Sequence, residues 1–352
     1  MYTESYDAAL KRSEQLEQDI VHDPKRFRIL TGDRPTGRLH VGHYFGTLQN
    51  RVRLQDLGVE LYILIADYQV ITDRDASRDL YQVVSEMLLD YLAIGVDPDV
   101  SNIFTHSSIP ELNQLILPFL SLVSTGELER NPTVKEEIRL SERPVVNGLM
   151  FTYPVHQAAD ILFMHANLVP VGKDQLPHVE LTRTIAKRFN ERYCAESPYF
   201  PLPEALLGQV PLLLGVDGRK MGKSLGNAIY ISSSADETAQ LVRGAVTDAE
   251  RHISYDPVKR PEVANLLRLA ALCQGTSPEQ IADKIGGRGA AELKRVVTEG
   301  VNEYFAPIRK RRLELAKDKE GILQILRTGN ERARSIAVQT LDTVRAEMGM
   351  LY

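Results

Sequence analysis

Two short clusters carry residue types suited to handling a polyphosphate. The first is Thr36-Gly37-Arg38-Leu39-His40-Val41-Gly42-His43-Tyr44, between an apolar run at 27–30 and a segment of helical periodicity. Histidines three apart at a helix start can face one ligand, and Gly42 between them lets a flat group such as an adenine lie against backbone. The helix start adds unpaired N–H groups and the positive end of the helix dipole, both suited to phosphate. The second is Lys220-Met221-Gly222-Lys223-Ser224. Two lysines and a serine around a glycine can hold a triphosphate and neutralise charge developing on a departing pyrophosphate. Its last three residues also match the end of a P-loop, but that motif needs glycine at 217, where the chain has Asp217. Taken singly, the first cluster also reads as two surface histidines on a helix cap, and the second as a solvated lysine loop.

Such clusters need a scaffold, and the pattern between them supplies one. Short apolar runs at 27–30, 60–66, 103–105, 168–171 and 210–214 alternate with helical segments at 41–57, 78–94, 111–122, 155–164 and 176–192. That alternation predicts parallel strands with crossover helices, and places the first cluster at the carboxyl end of a strand, where open α/β sheets bind ligands. Residues 1–25 read as a short charged helix. A charged, proline-marked stretch from Gly126 to 144 reads as an insertion between two half-sheets. Beyond Ser232 only helical periodicity remains, with a cationic run at 308–317 (Ile-Arg-Lys-Arg-Arg-Leu-Glu-Leu-Ala-Lys) that reads either as a solvated face or as an RNA phosphate contact.

Composition sets the outer limits. The 352 residues exceed what one domain usually holds, and 43% hydrophobic with 25% charged residues describes a globular chain. A net charge of −5 excludes a wholesale basic nucleic-acid coat, although the helical half is mildly basic and the α/β half mildly acidic. Two cysteines, Cys194 and Cys273, are too few for a disulfide framework, a four-cysteine zinc site or an iron–sulfur cluster. The polar N-terminus and the shortness of the apolar stretches at 61–66 and 115–123 predict a cytoplasmic-type protein with no membrane partner.

Together, H-x-G-H after the first strand and K-M-x-K-S about 180 residues later resemble the HIGH and KMSKS signatures of class I aminoacyl-tRNA synthetases. The middle of the chain is similar to bacterial-type tryptophanyl-tRNA synthetases in Gly126-Glu127-Leu128-Glu129-Arg130, Thr152-Tyr153-Pro154-Val155, Ala158-Ala159-Asp160-Ile161-Leu162, Val169-Pro170-Val171-Gly172-Lys173-Asp174-Gln175, His178, Glu180-Leu181 and Phe189-Asn190. The similarity runs over about 28–350.

The resemblance implies an α/β fold: a Rossmann-like parallel-sheet catalytic domain at 27–230 with an insertion at about 106–150. After it would come an all-helical, anticodon-binding domain at 231–352 whose last helix packs back on the catalytic domain, with residues 1–26 as an N-terminal extension. It implies the tryptophan--tRNA ligase reaction, in which ATP with Mg²⁺ and L-tryptophan give the adenylate and tRNA(Trp) then takes the acyl group. A homodimer is implied, and no metal site beyond Mg²⁺ carried by the ATP phosphates. His40, His43, Lys220 and Lys223 would be catalytic. ATP would meet Arg34, Pro35, Thr36, Gly42, His43, Gly172, Lys173, Asp174, Leu212, Lys220, Met221, Gly222, Lys223 and Ser224. Tryptophan would meet Asp160 through its indole N–H, Tyr153 and Gln175 through its α-amino group, and walls at Leu30, Gly32, Val169 and Val171. Departures from common family residues are Arg34, Gln69, His156-Gln157, Lys173 and Gly222; Gln69 and Gln157 make the indole pocket more polar. A synthetase-like tryptophan- or ATP-binding regulatory protein and a tyrosine-specific sister enzyme are the competing readings.

Overall fold

A computed structural model of the chain describes residues 6–72, 79–140, 147–194, 196–208, 213–222 and 225–352. Of the residues singled out in sequence, Leu212, Lys223 and Ser224 lie outside these. The element order is α1 (Tyr6–His22), β1 (Arg28–Asp33), α2 (Val41–His43), a π turn (Tyr44–Leu48), α3 (Gln49–Asp56), β2 (Glu60–Ile65), α4 (Leu80–Ile94), β3 (Ser101–Thr105), α5 (Pro110–Leu120), α6 (Thr125–Arg130) and α7 (Pro132–Leu140). There follow α8 (Gly148–Phe163), β4 (Leu168–Val171), α9 (Leu176–Tyr193), β5 (Glu204–Leu207), α10 (Ala235–Arg243), α11 (Pro261–Gln274), α12 (Pro278–Ile285), α13 (Gly289–Leu315) and α14 (Lys319–Glu347).

Among the described residues the strands form one five-stranded sheet in the order β3-β2-β1-β4-β5, and all four neighbouring pairs are parallel. Alternate residues feed cores on its two faces: Ile29, Leu61, Ile63 and Ile65 on one, Leu30, Tyr62, Leu64 and Phe104 on the other. Because β1 connects to β2 on one side and pairs with β4 on the other, the strand order reverses between β1 and β4. The crevice beyond their carboxyl ends is where such a sheet binds ligands.

Three local expectations need correction. The fifth described strand is Glu204–Leu207, which the expected strands do not include; of the run expected at 210–214, residues 210–212 lie outside the described residues, Leu213 is in no strand and Leu214 makes an isolated bridge to Lys220. Pro201 and Pro203 mask this strand in sequence, and it is held by β4 on one side and by Ser13 of α1, whose Oγ accepts from Leu207 N at 3.0 Å, on the other. Helix α8 starts at Gly148 rather than 155. Asn147 caps it (Oδ1 accepts from Met150 N at 2.8 Å), and Pro154, just before the expected start, sits inside the helix. The segment expected as one helix at 41–57 is interrupted by a π turn, a feature common at functional sites.

The chain's two ends pack onto the sheet edges. Arg12 of α1 pairs with Glu204 of β5 at 2.6 Å. At the other edge α14 crosses β3 so closely that a Cβ on Gly329 would lie 1.9 Å from Ile103 O. Asn330 Oδ1 accepts from Thr105 N at 2.9 Å, and Asn102 Nδ2 donates to Gly329 O at 3.0 Å. Both edges are thereby covered. Three cations of the run at 308–317 are engaged within the fold, while Lys310 and Lys317 are exposed: Arg309 donates to Asn302 and Thr238, Arg311 to Ala93 O, and Arg312 to Asp90 (2.6 Å) and Glu86 on α4. Asp90 is fully buried, and burial pushes its carboxyl up against the pull of Arg312. Arg312→Ala would leave that carboxylate unpaired, and thermal or urea denaturation should record a loss of about 3 kcal/mol. Among the described residues no helix is long and apolar enough to cross a membrane.

Candidate active site

A cavity of about 520 Å³ opens at the β1/β4 switch point, within the usual range of small-molecule sites. Its lining draws on β1 and the turn after it (Leu30, Gly32, Arg34, Thr36), the histidine helix (His43), helix α8 (Tyr153, Gln157, Asp160), the end of β4 (Val169, Val171, Gly172, Asp174, Gln175) and Lys220. Thirteen of the residues singled out in sequence as site residues line it. His40, Pro35, Gly42, Met221 and Gly222 do not, and Lys173 points away: its ammonium lies 4.5 Å from the Tyr6 ring centroid.

The two signature clusters meet although far apart in sequence. His40 and His43 cap α2 reciprocally: each Nδ1 accepts from the other's backbone N at 3.2 Å, and the rings stack with centroids 3.5 Å apart. With both Nδ1 atoms accepting, the neutral rings carry their proton on Nε2. Gly42 is needed for this packing, since a Cβ there would lie 3.0 Å from His40 Nδ1 and 3.5 Å from Met221 Sδ. The chain after the lysine loop returns to the histidine helix through Val41 N to Ile229 O (2.9 Å) and Ile231 N to Leu39 O (3.0 Å). Asn227 knits the loop itself, donating to Asp217 Oδ1 (2.7 Å) and Lys220 O (3.1 Å) and accepting from Gly222 N (2.9 Å).

Helix α8 places Tyr153 and Asp160 seven residues apart, two turns along one face. The tyrosine is fixed by a chain that sequence reasoning did not assign. Asn131 Oδ1 accepts from Thr133 N (3.0 Å) and Val134 N (3.3 Å), which turns its amide Nδ2 toward His178 Nδ1 (3.4 Å). The His178 proton is then on Nε2, donating to Tyr153 Oη at 2.9 Å. Burial pushes His178 down to about 4, with Asp174 pulling the other way, so the ring is neutral. Its folded value lies below the ordinary 6.5, so stability is fully present above pH 6.5 and is lost as pH falls toward 4. The slope is about 1.4 kcal/mol per pH unit for this one group. Burial also lowers His156 and His165, adding to the same trend. Melting temperatures should fall from pH 7 to pH 5, and less steeply in His178→Gln.

Beneath the cavity, Asp33 accepts from Arg51 (2.5 Å) and Tyr91 (2.6 Å). Burial pushes Asp33 up, but Arg51 and Tyr91 outweigh it and hold the carboxyl below its ordinary range. Among the described residues one group brings three ligand-capable atoms within 4.8 Å of one another: His106, His156 and Asp160, all buried. No metal was read there in sequence, because no local spacing links position 106 to helix α8.

The family model for tRNA synthetases class I (W and Y) matches residues 23–306. A tryptophan--tRNA ligase of Clostridium longisporum is 42% identical over 335 residues, spanning 92% of this chain and 97% of that one. One from Streptococcus pyogenes serotype M1 is 41% identical over 338 residues, 92% and 98% of the two chains. Among solved structures, the Campylobacter jejuni tryptophanyl-tRNA synthetase complexed with ADP and tryptophan is 31% identical, with a TM-score of 0.79 over 92% of this chain and 99% of that one. A tyrosyl-tRNA synthetase of Archaeoglobus fulgidus, 22% identical over 85% of this chain and 94% of its own, shares the fold at a TM-score of 0.64.

Proposed function

The chain belongs to the class I tRNA synthetases of the tryptophan and tyrosine family, and from that membership we propose that it activates L-tryptophan with ATP and transfers it to tRNA(Trp). The observation that carries this reading is the cavity at the strand-order reversal, into which the histidine helix, the lysine loop and the Tyr153/Asp160 face of α8 all open. The reading is supported by relatives about 41–42% identical along nearly their whole length.

In this reading tryptophan lies against Leu30, Gly32, Val169 and Val171 with its ring N–H toward Asp160, and its α-amino group toward Tyr153 and Gln175. A buried carboxylate left without its donor is costly, so a substrate without a ring N–H is disfavoured. The substrate carboxylate attacks the α-phosphorus of ATP, and pyrophosphate departs. His40 and His43 bind the nucleotide at the N-terminus of α2, while Lys220 and Lys223 meet the triphosphate. Arg34, Thr36, Gly172 and Asp174 complete the nucleotide side. Positioning and charge stabilisation supply the rate without a covalent enzyme intermediate. Mg²⁺ enters as part of the ATP complex, held by the phosphates.

Residues 27–230 would form the catalytic unit and 231–352 the helical, anticodon-facing unit. The tRNA would bridge two subunits of a homodimer. Charging assays with tRNA(Trp) and labelled amino acid test the function: acylation with tryptophan and not tyrosine is expected. Tryptophan binding with no acylation would instead indicate a ligand-binding regulatory protein.

A further inference from the structure

We infer that His106 is a positioning residue for Asp160: it takes up one carboxylate oxygen and so turns the other toward the indole N–H. This rests on the assignment of Asp160 to the indole made above.

Residue 106 opens the turn that follows β3, at the carboxyl edge of the sheet. The turn is tied to the end of β2 by Asp67, whose Oδ1 accepts from Tyr68 N and Ser107 N, both at 3.0 Å, and whose Oδ2 accepts from Ser107 Oγ. The His106 side chain is fully buried between two rings, Tyr68 (centroids 6.3 Å apart) and His156 (4.5 Å). Its Nε2 lies 2.9 Å from Asp160 Oδ1. A carboxylate oxygen only accepts, so the ring proton is on Nε2; Nδ1 is buried with no hydrogen-bond partner among the described residues.

His156 is oriented in the same sense. Its Nδ1 faces the Gln69 amide Nε2 at 3.2 Å, which puts its proton on Nε2, and that atom lies 4.0 Å from the same Oδ1. Both imidazoles therefore address one oxygen of Asp160. The residue also lines the cavity, so Oδ2 is the oxygen presented to a ligand. A carboxylate fixed in this way needs no reorientation when the indole N–H arrives, which is the preorganisation that strengthens a buried charge-assisted hydrogen bond.

The test exploits a substrate that lacks the donor. Steady-state ATP–pyrophosphate exchange is measured with tryptophan and with the alanine derivative bearing a benzothiophene, in which sulfur replaces the ring N–H. The enzymes are the wild type, His106→Phe, His106→Gln and Asp160→Asn. Phenylalanine keeps a ring in the stack and removes the donor; glutamine restores a donor.

His106→Phe should raise the tryptophan KM about tenfold or more, the loss of one hydrogen bond to a charged group. The analogue's KM should be unchanged within about twofold, and His106→Gln should recover most of the tryptophan loss. Equal changes for both substrates would overturn the proposal and leave His106 a packing residue. If Asp160→Asn itself treats the two substrates alike, the assignment of Asp160 to the indole fails instead. Should His106→Phe not fold, the same comparison is made with His106→Gln against His106→Leu. Wild-type enzyme dialysed against a chelator and returned to Mg²⁺ should keep its tryptophan KM. A rise reversed by Zn²⁺ would overturn the proposal and make the trio a metal site.

Discussion

Asp160→Ala should lower tryptophan-dependent kcat/KM in ATP–pyrophosphate exchange by about 10³-fold, while the KM for ATP stays near the wild-type value. Asp160 is buried on α8, two turns beyond Tyr153, with its carboxylate on the cavity. In the proposed pose the indole donates to a buried carboxylate, a bond of the strong class, and truncating one partner of such a pair costs about 2–5 kcal/mol. The alanine variant also strands the Nε2–H groups of His106 and His156, which now face Oδ1 at 2.9 and 4.0 Å. Its melting temperature should therefore fall as well. A kcat/KM change of less than tenfold would remove Asp160 from the substrate site.

Lys220→Ala should act on the opposite end of the reaction. Lys220 opens the lysine loop, is anchored by the antiparallel bridge to Leu214, and lines the cavity together with His43. Its charge would meet the triphosphate, where negative charge grows as pyrophosphate leaves. Removing a preorganised group of this kind costs about 10²–10³-fold in kcat. The tryptophan KM should stay within about threefold, since in the proposed reaction the lysine would act where charge develops and not where the amino acid is held. Lys220→Arg, which keeps the charge, should recover part of the rate. Single-turnover adenylate formation measures this directly, and a variant with normal kcat and raised tryptophan KM would place Lys220 on the wrong substrate.

The sheet and the capped histidine turn were legible in sequence for a physical reason. Parallel strands buried on both faces must be continuously apolar, so 60–66 and 168–171 stand out, and β4 has the bounds expected of it. His40-Val41-Gly42-His43 is local in the chain, so its spacing predicts the capped helix start. What failed was context. Pro201 and Pro203 hid the edge strand Glu204–Leu207, and Pro154 hid the first half of α8, because proline signals punctuation wherever tertiary structure does not override it. The cationic run at 308–317 looked outward because its partners, Glu86 and Asp90, lie more than two hundred residues earlier. The same distance problem concealed the Asn131–His178–Tyr153 chain and the approach of His106 and His156 to Asp160. No local pattern announces a pair brought together by two different crossovers, so only the folded chain shows that Asp160, the proposed indole acceptor, comes with an imidazole already attached.

The measurement that tests the account most directly is amino-acid-dependent ATP–pyrophosphate exchange on the purified protein, with tryptophan and tyrosine run side by side. Exchange should saturate with tryptophan, stay at background with tyrosine, and be lost with tryptophan in Asp160→Ala. Exchange with tyrosine, or none with tryptophan although tryptophan binds, would contradict it.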